Sequence, residues 1–574
     1  MALGLTSFKP AVMGVTHAVS AGHYHAATAG YRILEEGGNA IDAGVASGIA
    51  INVVFPQWTS FGGVAPIILY HAERDETVTI SGLGRWPSAA SVDFFKQEHG
   101  NDLPEGILRT VVPSAADAWL TALELYGTMS FEQTVTPALQ LAESGFPVPR
   151  LLSQYIAEGL SWESSLEIFM PGGDAPSVGD VLIQKDLANT FHRMIEVERA
   201  SASNGREAGI RAVRDFFYKG DLAREMVRFC QDQGGLLTMD DMASFHVGLE
   251  PAQWGSYKHI DIATCGAWCQ GPLLIQFLNM LEGFDLKAMG YLSADYIHTL
   301  LETFKLGFAD RHAYYGDPDF VDVPLNGLLS KAYAEARRAE VNMHLACPEM
   351  PLAGDPWIYE AGSGNVPING RPAAVPGGLG EDTSYTCVVD RWGNAFSATP
   401  SDGFGGTPVV SGLGFILSSR GNQSWLDPDH PSVLAPGKRP RLTPNPALAF
   451  KDGRPWMPFG TPGGDIQCQA MAEMFINIVE FGMDPQQAIE EPRFATSSYP
   501  GSFWPHAYNP GLVTLEGRID PSVIAELERR GHIVEVWDEW AVKAGNLSAI
   551  QIDRVRGILR AGADSRREGY AIAR

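Results

Sequence analysis

The sequence predicts a layered α/β or α+β fold, on three observations: helix-period segments, short β-rich runs, and their interleaving along the whole chain. A first helix is expected from His23 to Glu36, where Ala26, Ala29, Ile33 and Leu34 share one face and Gly37-Gly38 stops the pattern. The same period recurs from Glu132 to Glu143 and from Ser293 to Tyr314. β-rich runs stand at Ala65 to Tyr70, Thr77 to Ser81, His259 to Ala263 and Val534 to Trp537. The most apolar stretch, Ile41 to Phe55, is too short to cross a bilayer and is interrupted by Asp42, Gly44 and Gly48. A buried helix is expected there. No repeat, long linker or low-complexity run divides the 574 residues.

The bulk numbers narrow the function classes. Apolar residues make up 45% and charged residues 19%, the balance of a globular protein with a large core. The net charge of −25 argues against a nucleic-acid partner, which needs clustered Lys and Arg. The first fourteen residues carry one lysine and no apolar core of a signal peptide, so a cytoplasmic protein with no membrane partner is expected. The six cysteines, Cys230, Cys265, Cys269, Cys347, Cys387 and Cys468, are too few for a disulfide framework.

One region stands apart. From Pro348 to Gly380 glycines and prolines leave no helix or strand pattern. Directly after it, Thr383 to Asp390 and Ala395 to Thr399 are β-rich runs joined by a turn with Gly393 and Asn394, which reads as a hairpin. A loop that delivers the chain to a buried strand is a sensible place for a scissile bond, here between Asp382 and Thr383. A threonine hydroxyl needs a base beside it to act as a nucleophile. Freed as a chain terminus, Thr383 would carry its own: an α-amine has a pKa of roughly 7.7–8.0, against about 10.4 for lysine. Oγ1 attack on the Asp382 carbonyl, followed by ester hydrolysis, would produce that terminus.

Further on, Gly460-Thr461-Pro462-Gly463-Gly464-Asp465 precedes an apolar helix from Ile466 to Glu480. Adjacent glycines at a helix N-terminus let backbone N–H groups approach a developing oxyanion.

Taken together, these pieces resemble the γ-glutamyltransferase family. The resemblance is carried by Ala29 to Ala43 with its Gly37-Gly38-Asn39-Ala40-Ile41-Asp42-Ala43 turn, Tyr126-Gly127-Thr128, and Leu141 to Pro147. Phe217 to Gly220, Gly234 to Thr238, Phe308-Ala309-Asp310-Arg311 and Gly316 to Pro324 continue it, as do Pro436 to Pro440 and Glu491 to Phe494. What it implies is a four-layer αββα sandwich of the N-terminal-nucleophile hydrolases, made as a precursor and cut into two associated subunits. Val388-Val389-Asp390-Arg391-Trp392-Gly393-Asn394-Ala395 matches the end of the family's nucleophile segment and sets the nucleophile at Thr383. The large subunit would then be residues 1–382 and the small one 383–574, or 574 − 382 = 192 residues. The family's orienting hydroxyl falls on Ser401, and its oxyanion glycines on Gly463 and Gly464. The resemblance implies no cofactor and no metal; whether processed units pair as a homodimer is left open.

The substrate positions depart from the family. Members that hold a γ-glutamyl group use an arginine, two hydroxyls and an aspartate. Here Arg85 stands near the arginine position, Leu442-Thr443 replaces the hydroxyl pair, and Asn422-Gln423 replaces the aspartate. A buried ammonium without a counter-charge is costly. Arg420 offers a second fork for a carboxylate, and the segment from Gln423 to Lys438 is shorter than in lid-bearing relatives. The expected substrate is therefore a small amide whose acyl part carries a carboxylate, such as an oxamate-type or dicarboxylic monoamide. Two alternatives stand beside it: γ-glutamyl hydrolysis or transfer, and an uncut, non-catalytic family member. His23-Tyr24-His25 and the Cys265/Cys269 pair lack further metal ligands, and no Gly-x-Ser-x-Gly, His-Glu-x-x-His or phosphate-binding loop occurs. Trp58, Trp86 and Trp425 are candidates for the walls of an acyl pocket.

Overall fold

A computed structural model describes residues 7–360, 364, 370, 372–378 and 383–574. Among these, two seven-stranded sheets form the centre. One runs, edge to edge, through Val12–Gly14, Ile558–Ala563, Ser548–Asp553, Arg454–Gly460, Ala447–Lys451, Ile260–Thr264 and Gln253–Tyr257. The other runs through Tyr570–Ala573, Ala18–Ala21, Thr386–Val389, Ala395–Ala398, Ile67–His71, Glu76–Ile80 and Leu249–Pro251. Both sheets draw strands from either side of Thr383. They face each other across a layer of buried apolar side chains that includes Ile68, Ala263, Tyr385, Cys387, Leu448 and Ile550.

Helices cover the two outer faces. Tyr24–Glu35 and Ala40–Val54 pack on the sheet that holds Thr386–Val389, while Gly271–Leu281 and Gln467–Phe481 pack on the other. The order is helix, sheet, sheet, helix, as the four-layer expectation required. The predicted helices and strands are found, with bounds within a few residues: Tyr24–Glu35, Phe131–Ser144, Ala294–Tyr314, Ile67–His71, Glu76–Ile80, Ile260–Thr264 and Ile533–Trp537. Within the expected loop from Pro348, a short 3₁₀ turn forms at Pro356–Tyr359, started by Asp355, whose carboxylate accepts from the Trp357 amide.

Ala40–Val54 shows why its sequence folds this way. Every one of its residues is buried, consistent with a helix that is apolar all round. Asn39 caps it through the Ile41 and Asp42 amides, and Asp42 returns the bond to the Asn39 amide at 2.9 Å, a capping box. The same carboxylate accepts from Thr128 Oγ1 at 2.7 Å and from the Thr128 amide at 2.8 Å, tying this helix to the turn between Ala115–Tyr126 and Phe131–Ser144. Its other end of contact is the hairpin: a Cβ added at Gly44 would lie 2.2 Å from the Phe396 ring. Among the described residues no helix is long and apolar enough to cross a membrane.

Gly44→Ala should therefore overpack the helix–sheet contact. A stability loss of about 1–3 kcal/mol is expected, read as a lower Tm.

Candidate active site

The site is built at the open end of the hairpin. Thr386–Val389 pairs antiparallel with Ala395–Ala398, from Thr386↔Ala398 to Val389↔Ala395. Asp390 closes the turn: its carboxylate accepts from the Trp392 and Asn394 amides, from Asn394 Nδ2, and from the Ala40 amide of the adjoining helix. At the other end the pairing outruns the strands. The Ser384 amide donates to the Pro400 carbonyl at 2.9 Å, and the Ser401 amide to Val64 at 2.9 Å. Continued by three residues, the register sets Thr383 opposite Ser401. Both are fully buried, with Thr383 Oγ1 2.8 Å from Ser401 Oγ.

Ser401 Oγ also accepts from Arg420 Nη2. Arginine can only donate, so Ser401 keeps its own proton and one lone pair for its other neighbours. Arg420 is buried too, with Nε 3.0 Å from Asp402 Oδ1 and its guanidinium 5.5 Å from the Phe503 ring. Asp402 stands at φ 81°, in the left-handed region. Its carboxylate is held by Ser418 Oγ at 2.6 Å and Ser419 Oγ at 3.0 Å. The result is a row: Asp402, Arg420, Ser401, Thr383.

The glycine loop forms the neighbouring wall. Gly463 lies at φ 122° and Gly464 at φ 57°, conformations that L side chains rarely adopt, and the 3₁₀ turn Gly464–Ile466 leads into helix Gln467–Phe481. Gly460 lies against Tyr385, whose ring would be 2.3 Å from an added Cβ. Asn546 links the parts. Its amide donates to Thr461 Oγ1 at 2.9 Å and its Nδ2 to the Gly22 carbonyl at 3.4 Å, while the Gly22 amide donates to Tyr385 at 2.9 Å. Asp465 anchors the loop from behind: it pairs with buried Arg311 and accepts from Ser502 Oγ at 2.7 Å and Gln270 Nε2 at 3.1 Å.

The stretch ahead of Thr383 runs beside this loop. The Val375 amide donates to Tyr508 at 3.1 Å, the Tyr508 amide donates back at 2.7 Å, and Asn509 Nδ2 donates to Gly377 at 2.9 Å. Gly377, Gly378, Gly463, Ile466, Ser497 and Asn509 are among the residues that line an open cleft. Thr383 and Ser401 do not line it. Asp382, the other half of the expected scissile bond, lies outside the described residues.

The remaining sequence-predicted positions divide. Asn422 and Gln423 share the 3₁₀ turn Arg420–Gln423. Gln423 joins Thr443 twice, Nε2 to Oγ1 at 3.0 Å and Oε1 from the Thr443 amide at 3.3 Å. Arg85 is not brought to this group. Its guanidinium, 37% exposed, donates to Asp319 at 3.0 Å and to the Gly437 carbonyl at 3.2 Å. Trp86 reaches Ser424 Oγ through Nε1 at 2.9 Å, Trp425 stacks between His430 and His506, and Trp58 sits in the core under Arg567. Sequence reasoning assigned no role to Asn546, Arg311 or Asp402. Only Arg311 had a signal, as the end of Phe308-Ala309-Asp310-Arg311.

His23 caps helix Tyr24–Glu35 by accepting from the His25 amide, and burial pushes its pKa down to about 3. His298, Glu302 and His532 bring ligand atoms within 4.8 Å of one another. They already bond otherwise: Glu302 to Lys305 at 2.7 Å, and His298 to His532 at 2.9 Å and to the Asn342 carbonyl at 2.7 Å.

Comparison with known proteins bears directly on this arrangement. The profile of the family described as gamma-glutamyltranspeptidase matches residues 26–574. The chain belongs to the γ-glutamyltranspeptidase family. It is 33% identical to the glutathione hydrolase proenzyme of Bacillus subtilis (strain 168), over 98% of this chain and 92% of that one. The solved LmbA2991HD structure superposes with a TM-score of 0.90 at 36% identity, covering 99% of this chain and 100% of the other. The cephalosporin acylase from Bacillus halodurans superposes with a TM-score of 0.84 at 27% identity, covering 99% and 97%. The γ-glutamyltranspeptidase-family chain is thus an N-terminal-nucleophile hydrolase, made as a self-processing proenzyme, with the α/β fold of these relatives.

Arg311→Met would leave Asp465 buried without its cation. A stability loss of about 3–5 kcal/mol is expected, measured as a drop in Tm of the processed enzyme.

Proposed function

We propose that the chain cuts itself before Thr383 and then hydrolyses a small amide whose acyl group carries a carboxylate, through an acyl-enzyme on Thr383. The observation that carries this reading is the 2.8 Å contact between Thr383 Oγ1 and Ser401 Oγ, with Arg420 donating to the same serine. In the precursor, Oγ1 attacks the Asp382 carbonyl carbon and the C–N bond breaks, giving an ester. The Oγ1 proton passes to the freed Thr383 amine, and water then hydrolyses the ester to the Asp382 carboxylate and the Thr383 hydroxyl. In the mature enzyme that amine takes the Oγ1 proton as Oγ1 adds to the substrate carbonyl. Gly463 and Gly464 offer N–H groups to the oxyanion, worth roughly 3–4 kcal/mol per donor in a well-built site. The leaving amine takes the proton, and water resolves the ester.

Support for an acylase-type substrate comes from the cephalosporin acylase likeness and from the uncharged Asn422-Gln423 pair. The 33% identity to a glutathione hydrolase proenzyme favours a second reading, γ-glutamyl hydrolysis or transfer. Turnover of γ-glutamyl-p-nitroanilide against oxamate-like and dicarboxylic monoamides separates the two. Ammonia release from the latter without glutamyl release supports the first reading, and the reverse pattern supports the second.

On a denaturing gel the wild-type protein should run as two bands, of 382 and 192 residues. Thr383→Ala should run as one, and a split persisting in it would reject the assigned junction. Ser401→Ala should slow processing by about 10²-fold or more, with Ser401→Thr restoring it.

A further inference from the structure

Arg441 stands out among the buried cations around the glycine loop. Arg420 faces Asp402, Arg311 pairs with Asp465, and Arg439 pairs with Asp317 and Glu250. Arg441 is fully buried, and the carboxylate that acts on it, Asp465, is already paired with Arg311. Nη1 donates to the Arg311 carbonyl at 3.3 Å and the guanidinium lies 4.4 Å from the Trp425 ring. Nε and Nη2 meet no acceptor among the described residues. Those two atoms form one edge of the guanidinium, the edge that takes a carboxylate with two parallel hydrogen bonds.

The position of this edge matters. The Leu442 amide donates to Trp268, and Leu442 packs with Val64, Leu83, Cys265, Trp268 and Cys269. Leu442 forms an isolated parallel β-bridge with Cys269, and such extended backbone alternates its side chains, so Arg441 and Thr443 leave the chain on the side opposite Leu442. Thr443 bonds Gln423, on the same turn as Arg420, which donates to Ser401. The other flank is Asp465, next to Gly464 and already held by Arg311, Ser502 and Gln270. The imidazoles nearby supply no anion. His312 and His506 are pushed down to about 3 and His430 well below its usual value, all chiefly by burial, with Arg441 adding to each shift. Burial and then the like charge of Arg311 also push the Arg441 pKa down, with Asp465, shared with Arg311, opposing them.

We propose that Arg441 receives the carboxylate of the acyl group through its Nε–Nη2 edge, the role that sequence spacing had offered to Arg85. This rests on the reading that the acyl group is anionic, and it adds the residue that selects such groups. A carboxylate bound there neutralises the surplus cation, whereas an ammonium would meet a like charge.

The test uses processed enzyme and equilibrium binding of malonate, succinate and glutarate, with glutaramide as the neutral probe. Wild type should bind at least one dicarboxylate, and Arg441→Met should weaken it about 10- to 100-fold without changing glutaramide binding. Arg441→Lys keeps the charge but not the two-pronged geometry, so it should also lose dicarboxylate affinity. It provides the readout if the methionine variant does not fold. No dicarboxylate binding by wild type, or equal affinities in wild type and Arg441→Lys, would overturn the proposal. If the fork binds dicarboxylates but the enzyme turns over no carboxylated amide, the fork stands and the proposed substrate class fails. Carboxylated amides cleaved equally well by wild type and the variants would sink the fork and leave the function standing.

Discussion

The antiparallel register between Thr386–Val389 and Ala395–Ala398 is the constraint on which the candidate site depends. Side chains on paired strands meet in fixed partners, and a slip of one residue would turn every one of them to the opposite face. The register is held at both ends. Asp390 gathers three donors from the turn and one from the neighbouring helix, and Ser384 and Ser401 extend the backbone ladder to Pro400 and Val64. Thr383 and Ser401 are opposed because neither end can shift alone. Arg420 then fixes the serine, and Asp402 fixes Arg420.

Two layers must meet at this corner. Thr383 leads into a strand of one sheet, and the Gly463-Gly464 loop follows a strand of the other. Ordinary side chains would hold them apart. Gly460 lets the Tyr385 ring approach its strand, and Gly22 would collide with Ser384 Oγ if it carried a Cβ. Asn546 ties Gly22 to Thr461 across the gap. The buried Arg311–Asp465 pair gives the glycine loop a rigid back wall. Breaking one partner of such a pair costs more than the pair itself contributes, which makes the wall hard to deform.

Much of this was legible in the sequence because it rests on local rules. Period and turn chemistry marked the hairpin, and paired glycines marked the loop. The short motifs that carried the family resemblance prove to be halves of contacts. Asp42 of the Gly-Gly-Asn turn bonds Thr128 of Tyr126-Gly127-Thr128. Arg311 of Phe308-Ala309-Asp310-Arg311 meets Asp465 beside the glycines, and Arg439 of the Pro436–Pro440 stretch meets Asp317. What spacing could not reveal was which arginine faces inward. Arg85 adjoins Trp86, whose indole takes the buried side, so the guanidinium is left at the surface with Asp319. Arg441 adjoins Leu442, which packs on the Cys265 side and sends the guanidinium the other way. Such choices follow from tertiary packing, and a one-dimensional pattern does not record them.

Acid-quenched mass spectrometry of the processed enzyme during turnover of a carboxylated amide tests the central claim most directly. The account expects the acyl mass on the first peptide of the small subunit, on Thr383 itself, with the subunit beginning at that residue. An acyl group carried by another residue, or steady turnover by a chain that never divides, would contradict it.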